Sequence, residues 1–461
     1  MLETKSVTDL VRAAAGFQWA MTVYGVRQLL AAVSTADPQK ERETAANLYR
    51  LATRAQEDFN ADANFFATFA VGDVAQGTLI DLAENTINLK ILDPQFLQGL
   101  TESISRGAED VQNCMDTPDA RRLTLDRIKN TFNVVGIVNQ FEAPHVLSAD
   151  GTYPLADSID KAYALGDYPA LWAVEGLGKN YAYAYQNAGR PLVDLMMNKE
   201  TQSLPEKTLL MMHAGQGMCF AKTQVANLTP FSTDSEYDTA IEKFLKLCRD
   251  NSREGFFGPT AESLGLCCRT WYRRLLPRVS ERLAKLDPDG YAFFWHGAGR
   301  SMFFSPLNIF PGSPPWYSTE QEPPDDIARR NARSGAAWAF TVVNCQQPEI
   351  MTNFLTRQFS LVSSNDAFMD GVTSTLIMAG DMYPGHKYIP LFCNYQPDKS
   401  KPEMVAAWNK NIGSGFLDKV NRYREVLRRH NQLGEVFRYK PLSELVPRLE
   451  GQEAKAAEAK A

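Results

Sequence analysis

Two carboxylates and an imidazole occupy matching places in this chain, each one residue ahead of a glycine that recurs in apolar, aromatic-rich surroundings. The glycines are Gly136, Gly176, Gly215, Gly258, Gly297, Gly335 and Gly371, at successive gaps of 40, 39, 43, 39, 38 and 36 residues. From Gly176 onward the residues before them are Glu175, Ala214, Phe257, His296, Ser334 and Asp370. If equivalent positions of a repeating unit line one surface, Glu175, His296 and Asp370 converge, with Arg300 and Lys179 one turn further along their own segments. Two carboxylates and one imidazole can hold a divalent metal or do acid/base work; the metal set is the more speculative of the two. A plainer reading makes Glu175, Ser334 and Asp370 caps of helices that begin there.

The chain has only five histidines, and His213 and His296 lie in its most apolar stretches. A buried imidazole bonded to a carbonyl accounts for either one. Glu175, His213, Trp295, His296, Arg300 and Asp370 are therefore the candidate pocket residues, and aromatic neighbours such as Trp172, Phe294 and Trp338 either line a cavity for a hydrophobic small molecule or fill the core. No Gly-x-Ser-x-Gly elbow, Walker loop, His-Glu-x-x-His or Cys-x-x-Cys occurs, so no reaction and no cofactor is written in the motifs. Vicinal Cys267 and Cys268 would point about 100° apart on a helix, which favours packing over a redox pair.

Helices must position these residues. Leu10, Ala14, Phe17, Met21 and Tyr24 share one helical face, and a stripe from Ala45 to Val74 keeps the same spacing. Asp-Pro and Thr-Pro pairs at residues 37, 93 and 117 mark helix starts. The expected fold is all-α: an amphipathic bundle over residues 1–130, then about seven helical hairpins of roughly 40 residues over 131–390. Gly176, Gly215, Gly297 and Gly371 should be buried where a neighbouring helix approaches. The segment 305–326 holds six prolines and reads as an irregular loop. Residues 391–461 read as one charged helix and a disordered tail, EGQEAKAAEAKA.

A 461-residue chain that is 44% apolar and 22% charged can bury a large core. Its net charge of −6 offers no basic field for a phosphate backbone, so nucleic acid is not an expected partner. Seven scattered cysteines point to reduced thiols and a cytoplasmic location. The most apolar stretch, 11–33, is interrupted by Arg12, Gln18, Arg27 and Gln28, and no transmembrane segment is expected.

The phrases AVEGLGKNYAYA, HAGQGMCFA and YAFFWHGAGRSMFF resemble a bacterial family of unknown function found beside enediyne biosynthesis genes. The likeness spans about residues 130–390 and implies helical repeats without implying a catalytic residue. Function then reads as non-catalytic binding or assembly, with residues 1–130 docking to a protein partner or to a second copy. The alternative is an enzyme or accessory factor of specialised natural-product biosynthesis with an aromatic small-molecule pocket.

Overall fold

The structure, a computed structural model, describes residues 116–304 and 314–458 apart from 142 and 386. The chain divides into two compact units, one of residues 1–124, 229–231 and 304–314, the other of residues 125–228, 232–303 and 315–461. Most of the expected N-terminal bundle thus lies outside the described residues. Of the first unit, the start of α1 (Pro118–Gln140) is described: Thr117 Oγ1 accepts from the Ala120 amide at 3.2 Å, and proline sits where no amide is needed.

All regular structure among the described residues is helical, 75% helix with no strand. After α1 come α2 (Leu155–Ala164), α3 (Asp167–Asn187), α4 (Lys199–Gln202), α5 (Leu209–Val225), α6 (Asp234–Asn251), α7 (Phe257–Trp271), α8 (Leu276–Leu286) and α9 (Pro288–Phe304). The order continues α10 (Pro314–Gln321), α11 (Asp326–Asn344), α12 (Pro348–Arg357), α13 (Ala367–Met382), α14 (Tyr388–Cys393), α15 (Pro402–Asn411), α16 (Phe416–Arg429) and α17 (Leu442–Glu458).

Helices α3, α5, α7, α9, α11 and α13 form an inner layer and are buried on nearly every face, which is why their sequences lack a polar stripe. Consecutive members cross where glycine removes a side chain. A Cβ on Gly215 would strike the Glu175 carbonyl; on Gly297, that of Glu262; on Gly335, that of His296; on Gly371, that of Ser334. Gly178, Gly217, Gly265 and Gly299 press equally close to Met212, Thr260, Phe294 and Ala332. The contacts advance in step: Ser263 Oγ donates to the Ala214 carbonyl at 2.8 Å, and four residues on in both helices Cys267 Sγ donates to that of Met218 at 3.8 Å. Neighbouring inner helices therefore run in the same direction, and the intervening segments bring the chain back.

Those return segments are amphipathic where they are helical. A capping box joins Thr233 and Glu236 at the head of α6. Helix α8 buries Leu276, Val279 and Leu283, and its Arg282 Nε bonds Asp238 of α6 at 2.7 Å. The inner layer also curves back on itself, since the Tyr168 hydroxyl of α3 donates to the Val342 carbonyl of α11 at 3.2 Å.

Several expectations change. Gly176 has nothing within 4 Å of an added Cβ and is only half-buried; Gly178, two residues on and so on another face, takes the crossing. The loop 305–326 contains helix α10, because Pro314 and Pro315 stand at its start and buried Trp316 packs on Phe340, Phe354 and Phe368; residues 305–313 are outside the described residues. Residues 391–458 hold α15, α16 and α17 rather than one helix. The expected tail continues α17 to Glu458, anchored by buried Leu442, Leu445, Val446 and Leu449 and by the ion pair of Arg422 with Glu450.

The crossings set a sharp contrast between two glycines on the same motif. Gly215→Ala is expected to lower stability by about 1–3 kcal/mol through overpacking against α3. Gly176→Ala should leave stability unchanged or raise it by up to about 1 kcal/mol through helix propensity. Urea unfolding of the two variants beside the parent chain checks this, and equal effects would contradict the crossing.

Candidate functional site: a buried carboxylate, guanidinium and imidazole network

Glu175, Glu262, His296 and Arg300 reach the interior because the turn that bears each carbonyl-to-glycine crossing also aims a side chain inward. His296 and Arg300 are four residues apart on α9 and share a face. Arg300 Nη1 donates to Glu262 Oε2 at 2.6 Å, and its Nη2 donates to Glu175 Oε1 at 3.0 Å. His296 Nδ1 lies 2.6 Å from Glu262 Oε1. The guanidinium carbon sits 4.4 Å from the centre of the Trp338 ring, and Phe437 packs against both Trp338 and His296. Arg300 thereby ties α3, α7 and α9 together, although α3 and α9 are separated by two inner helices in sequence.

The network is buried and its geometry is specific. His296 and Glu262 are 0% exposed and Arg300 is 2% exposed. Burial opposes the charge on Arg300, but Glu262 and then Glu175 outweigh it and raise its pKa above the arginine value. Burial lowers the pKa of His296, against the pull of Glu262. With Nδ1–H donating to Glu262, the neutral ring presents a lone pair at Nε2. That nitrogen has no hydrogen-bond partner among the described residues, and neither have Arg300 Nε, Ser334 Oγ, Trp338 Nε1 and Ser374 Oγ. Ser334 and Trp338 share a face of α11; Asp370 and Ser374 share a face of α13.

A cleft of roughly 550 Å³ lies over this region, lined by Asp289, Ala292, Asp326, Ile327, Arg330, Asn331 and residues 438–441. Ala292 is one turn before His296, and Asn331 is about one turn before Ser334, so the cleft floor lies next to the polar network. Between them runs the segment after the 3-10 turn Leu433–Phe437. The Tyr439 amide donates to Asn331 Oδ1 at 2.7 Å, and the Tyr439 hydroxyl to Asp366 at 2.6 Å. Arg438 bonds Asp289 at 3.1 Å, while Arg330 holds its guanidinium 5.9 Å from the Tyr439 ring centre.

The pocket residues expected from sequence divide. Glu175, His296 and Arg300 come together. Asp370 does not join them: it caps the approach of the C-terminal segment, accepting from the Lys440 amide at 3.4 Å, and burial raises its pKa well above the carboxylate range. No group of three His, Cys, Asp or Glu side chains able to hold a metal ion occurs among the described residues, so Glu175, His296 and Asp370 do not assemble as ligands. Trp295 points the other way, because adjacent helical residues diverge by about 100°, and its Nε1 donates to Ser280 of α8 at 3.0 Å. His213 is a satisfied core residue: Nδ1 bonds the Leu209 carbonyl at 2.6 Å, Nε2 accepts from the Arg253 amide at 3.1 Å, and the ring stacks on Phe256.

Glu262 was missed by counting from Gly258. That glycine packs on Phe293 and the Gly434 carbonyl, while α7 meets α9 at Gly265, so the inward position falls about one turn later than Phe257. The phrase ESLG at 262–265, a polar residue three ahead of a glycine, was the available signal.

His213 also gives a pH dependence. Burial pushes its pKa down to about 3, against about 6.5 in an unfolded chain. As pH falls below about 6.5 the unfolded chain takes up a proton that the native ring refuses, so stability declines toward acid. His213→Gln should remove about 2 kcal/mol from the stability difference between pH 7 and pH 5, read by urea unfolding. An unchanged difference would show that His213 titrates normally. Comparison with protein families, curated proteins and solved structures finds no match to this chain.

Proposed function

We propose that this chain is a binding protein for a small molecule that presents hydroxyl or similar hydrogen-bonding groups beside an apolar face. The observation that carries the proposal is the set of buried, unpartnered polar atoms on α9, α11 and α13 next to Trp338 and Phe437. Each such atom left bare costs about 1–3 kcal/mol, and a ligand with matching groups recovers that cost. An interior needed only for packing gains nothing from an imidazole nitrogen, an indole N–H and two hydroxyls without partners. The cleft beside Ala292 and Asn331 supplies the approach, and displacement of Phe437 would open the last step.

The glycine phrases that resemble the enediyne-associated family fall on α3, α5 and α9, and α3 and α9 bear three members of the network, which supports a role beside specialised biosynthesis. On this proposal the roughly 40-residue unit repeats about seven times, and the amphipathic segments in 1–130 dock to a partner or to a second copy. Among the described residues no helix is long and apolar enough to cross a membrane.

Thermal shift of the full chain against a panel of polyols, hydroxylated aromatics and hydroxy acids tests the binding proposal. At least one compound should raise the melting temperature by several degrees and lose that effect in Ser334→Ala or His296→Leu. Absence of any shift, together with a His296→Leu chain more stable than the parent, would reduce the network to a structural role.

A further inference from the structure

The cleft beside α9 and α11 carries a positive charge that its own residues leave unbalanced. Both acids that line it are paired: Asp289 accepts from Arg438 at 3.1 Å, and Asp326 accepts from Arg329 of the same helix. Arg438 also donates to Glu435 at 2.8 Å, a carboxylate it shares with the Lys440 ammonium, and its guanidinium lies 4.7 Å from the centre of the Phe293 ring. Glu320, which Arg329 approaches at 3.3 Å, is matched by Arg333 at 2.6 Å. Arg330 lines the same cleft and is exposed, yet no carboxylate holds it among the described residues; its neighbour is the Tyr439 ring, 5.9 Å to the centre. Asp366 is engaged at the hydroxyl of that ring and makes no ion pair with Arg330. Among the lining residues and their ion-pair partners, Arg330 is thus the cation in excess. The walls are apolar as well, with Ile327 59% exposed and Ala292 and Pro441 in the same lining.

We propose that Arg330 holds the single carboxylate of a small-molecule ligand in this cleft, with the ligand's apolar body against Ile327, Tyr439 and Pro441. The inference rests on the small-molecule reading above and adds an acid to that ligand. A guanidinium presents its donors in a planar fork that fits the two oxygens of a carboxylate, and it stays charged throughout the physiological pH range. Arg330 can take up a ligand acid without losing an ion pair, whereas Arg329, Arg438 and Lys440 would each have to give one up. One surplus positive charge matches a monoanion; a phosphate dianion would bring a second negative charge close to Asp289 and Asp326. An apolar wall with a few placed polar groups is the usual make-up of a small-molecule site. Ala292 and Asn331 in the same lining stand about one turn before His296 and Ser334, so the acid is the outer anchor of a ligand whose hydroxyls reach inward.

Two probes test it, 4-hydroxybenzoate and 4-hydroxybenzamide, which share a ring and a hydroxyl and differ in charge. Each is titrated at pH 7 and fixed ionic strength into the full isotope-labelled chain, and the Arg330 Nε–H and Trp338 Nε1–H resonances are followed by NMR after assignment with Arg330→Gln and Trp338→Phe. The acid should shift the Arg330 resonance saturably and bind roughly tenfold more tightly than the amide, as a charge-assisted hydrogen bond implies. In Arg330→Gln, a substitution of an exposed side chain, the two probes should bind alike, and Arg330→Lys should keep part of the preference. Equal affinities in the parent chain, a preference that survives Arg330→Gln, or no saturable shift at Arg330 would each overturn the carboxylate site. The Trp338 resonance separates the two readings. A response there to both probes without preference at Arg330 would leave the small-molecule reading standing and sink this one. A response to the acid at Arg330 alone would support the carboxylate site and count against a ligand that reaches the interior.

Discussion

At four crossings of the inner layer a backbone carbonyl occupies the space that a side chain would take on the following helix. This steric exclusion fixes where the helices cross and how closely. Gly215 against Glu175, Gly297 against Glu262, Gly335 against His296 and Gly371 against Ser334 are the same contact made four times. Because a helix presents residues at fixed angles, fixing the crossing also fixes which side chain enters the interior. The network of Glu175, Glu262, His296 and Arg300 is thus a consequence of backbone packing before it is a matter of electrostatics.

That polar interior works against stability. Two carboxylates face one guanidinium in a buried setting, and the desolvation of such groups costs several kcal/mol per ion before their attraction is counted. Hydrophobic replacements of similar volume frequently do as well or better in folded proteins. The unpartnered atoms of His296, Arg300, Ser334, Trp338 and Ser374 add to that cost. Glu262 holds both Arg300 and His296 Nδ1, and the His296 ring packs edge-on against Trp338 and Phe437.

What the sequence makes legible is the periodicity and what it hides is register. The recurrence of glycine near every fortieth residue announces helices that cross closely, and Glu175, His296 and Arg300 follow from it. Glycine pairs two residues apart, such as Gly176 and Gly178, carry no mark of which one faces the neighbour, and the choice falls to tertiary packing. In α7 the inward position is Glu262 rather than Phe257, because α7 meets α9 at Gly265 and not at Gly258, a shift invisible to a count of residues. Helix α10 was hidden by its prolines, which read as loop until Trp316 is seen anchored among Phe340, Phe354 and Phe368. The persistence of α17 depends on its burial against the preceding helices and on the pair between Arg422 and Glu450, neither of which a local pattern reveals.

Helices α3 and α9, far apart in sequence, are joined across the interior by Glu175 and Arg300. A double-mutant cycle measures that bond directly: urea unfolding of the parent chain, Glu175→Gln, Arg300→Met and the combined variant. The 3.0 Å contact in a buried setting predicts a coupling free energy of about 2 kcal/mol. Additivity of the two single effects to within about 0.5 kcal/mol would contradict it and separate the two helices.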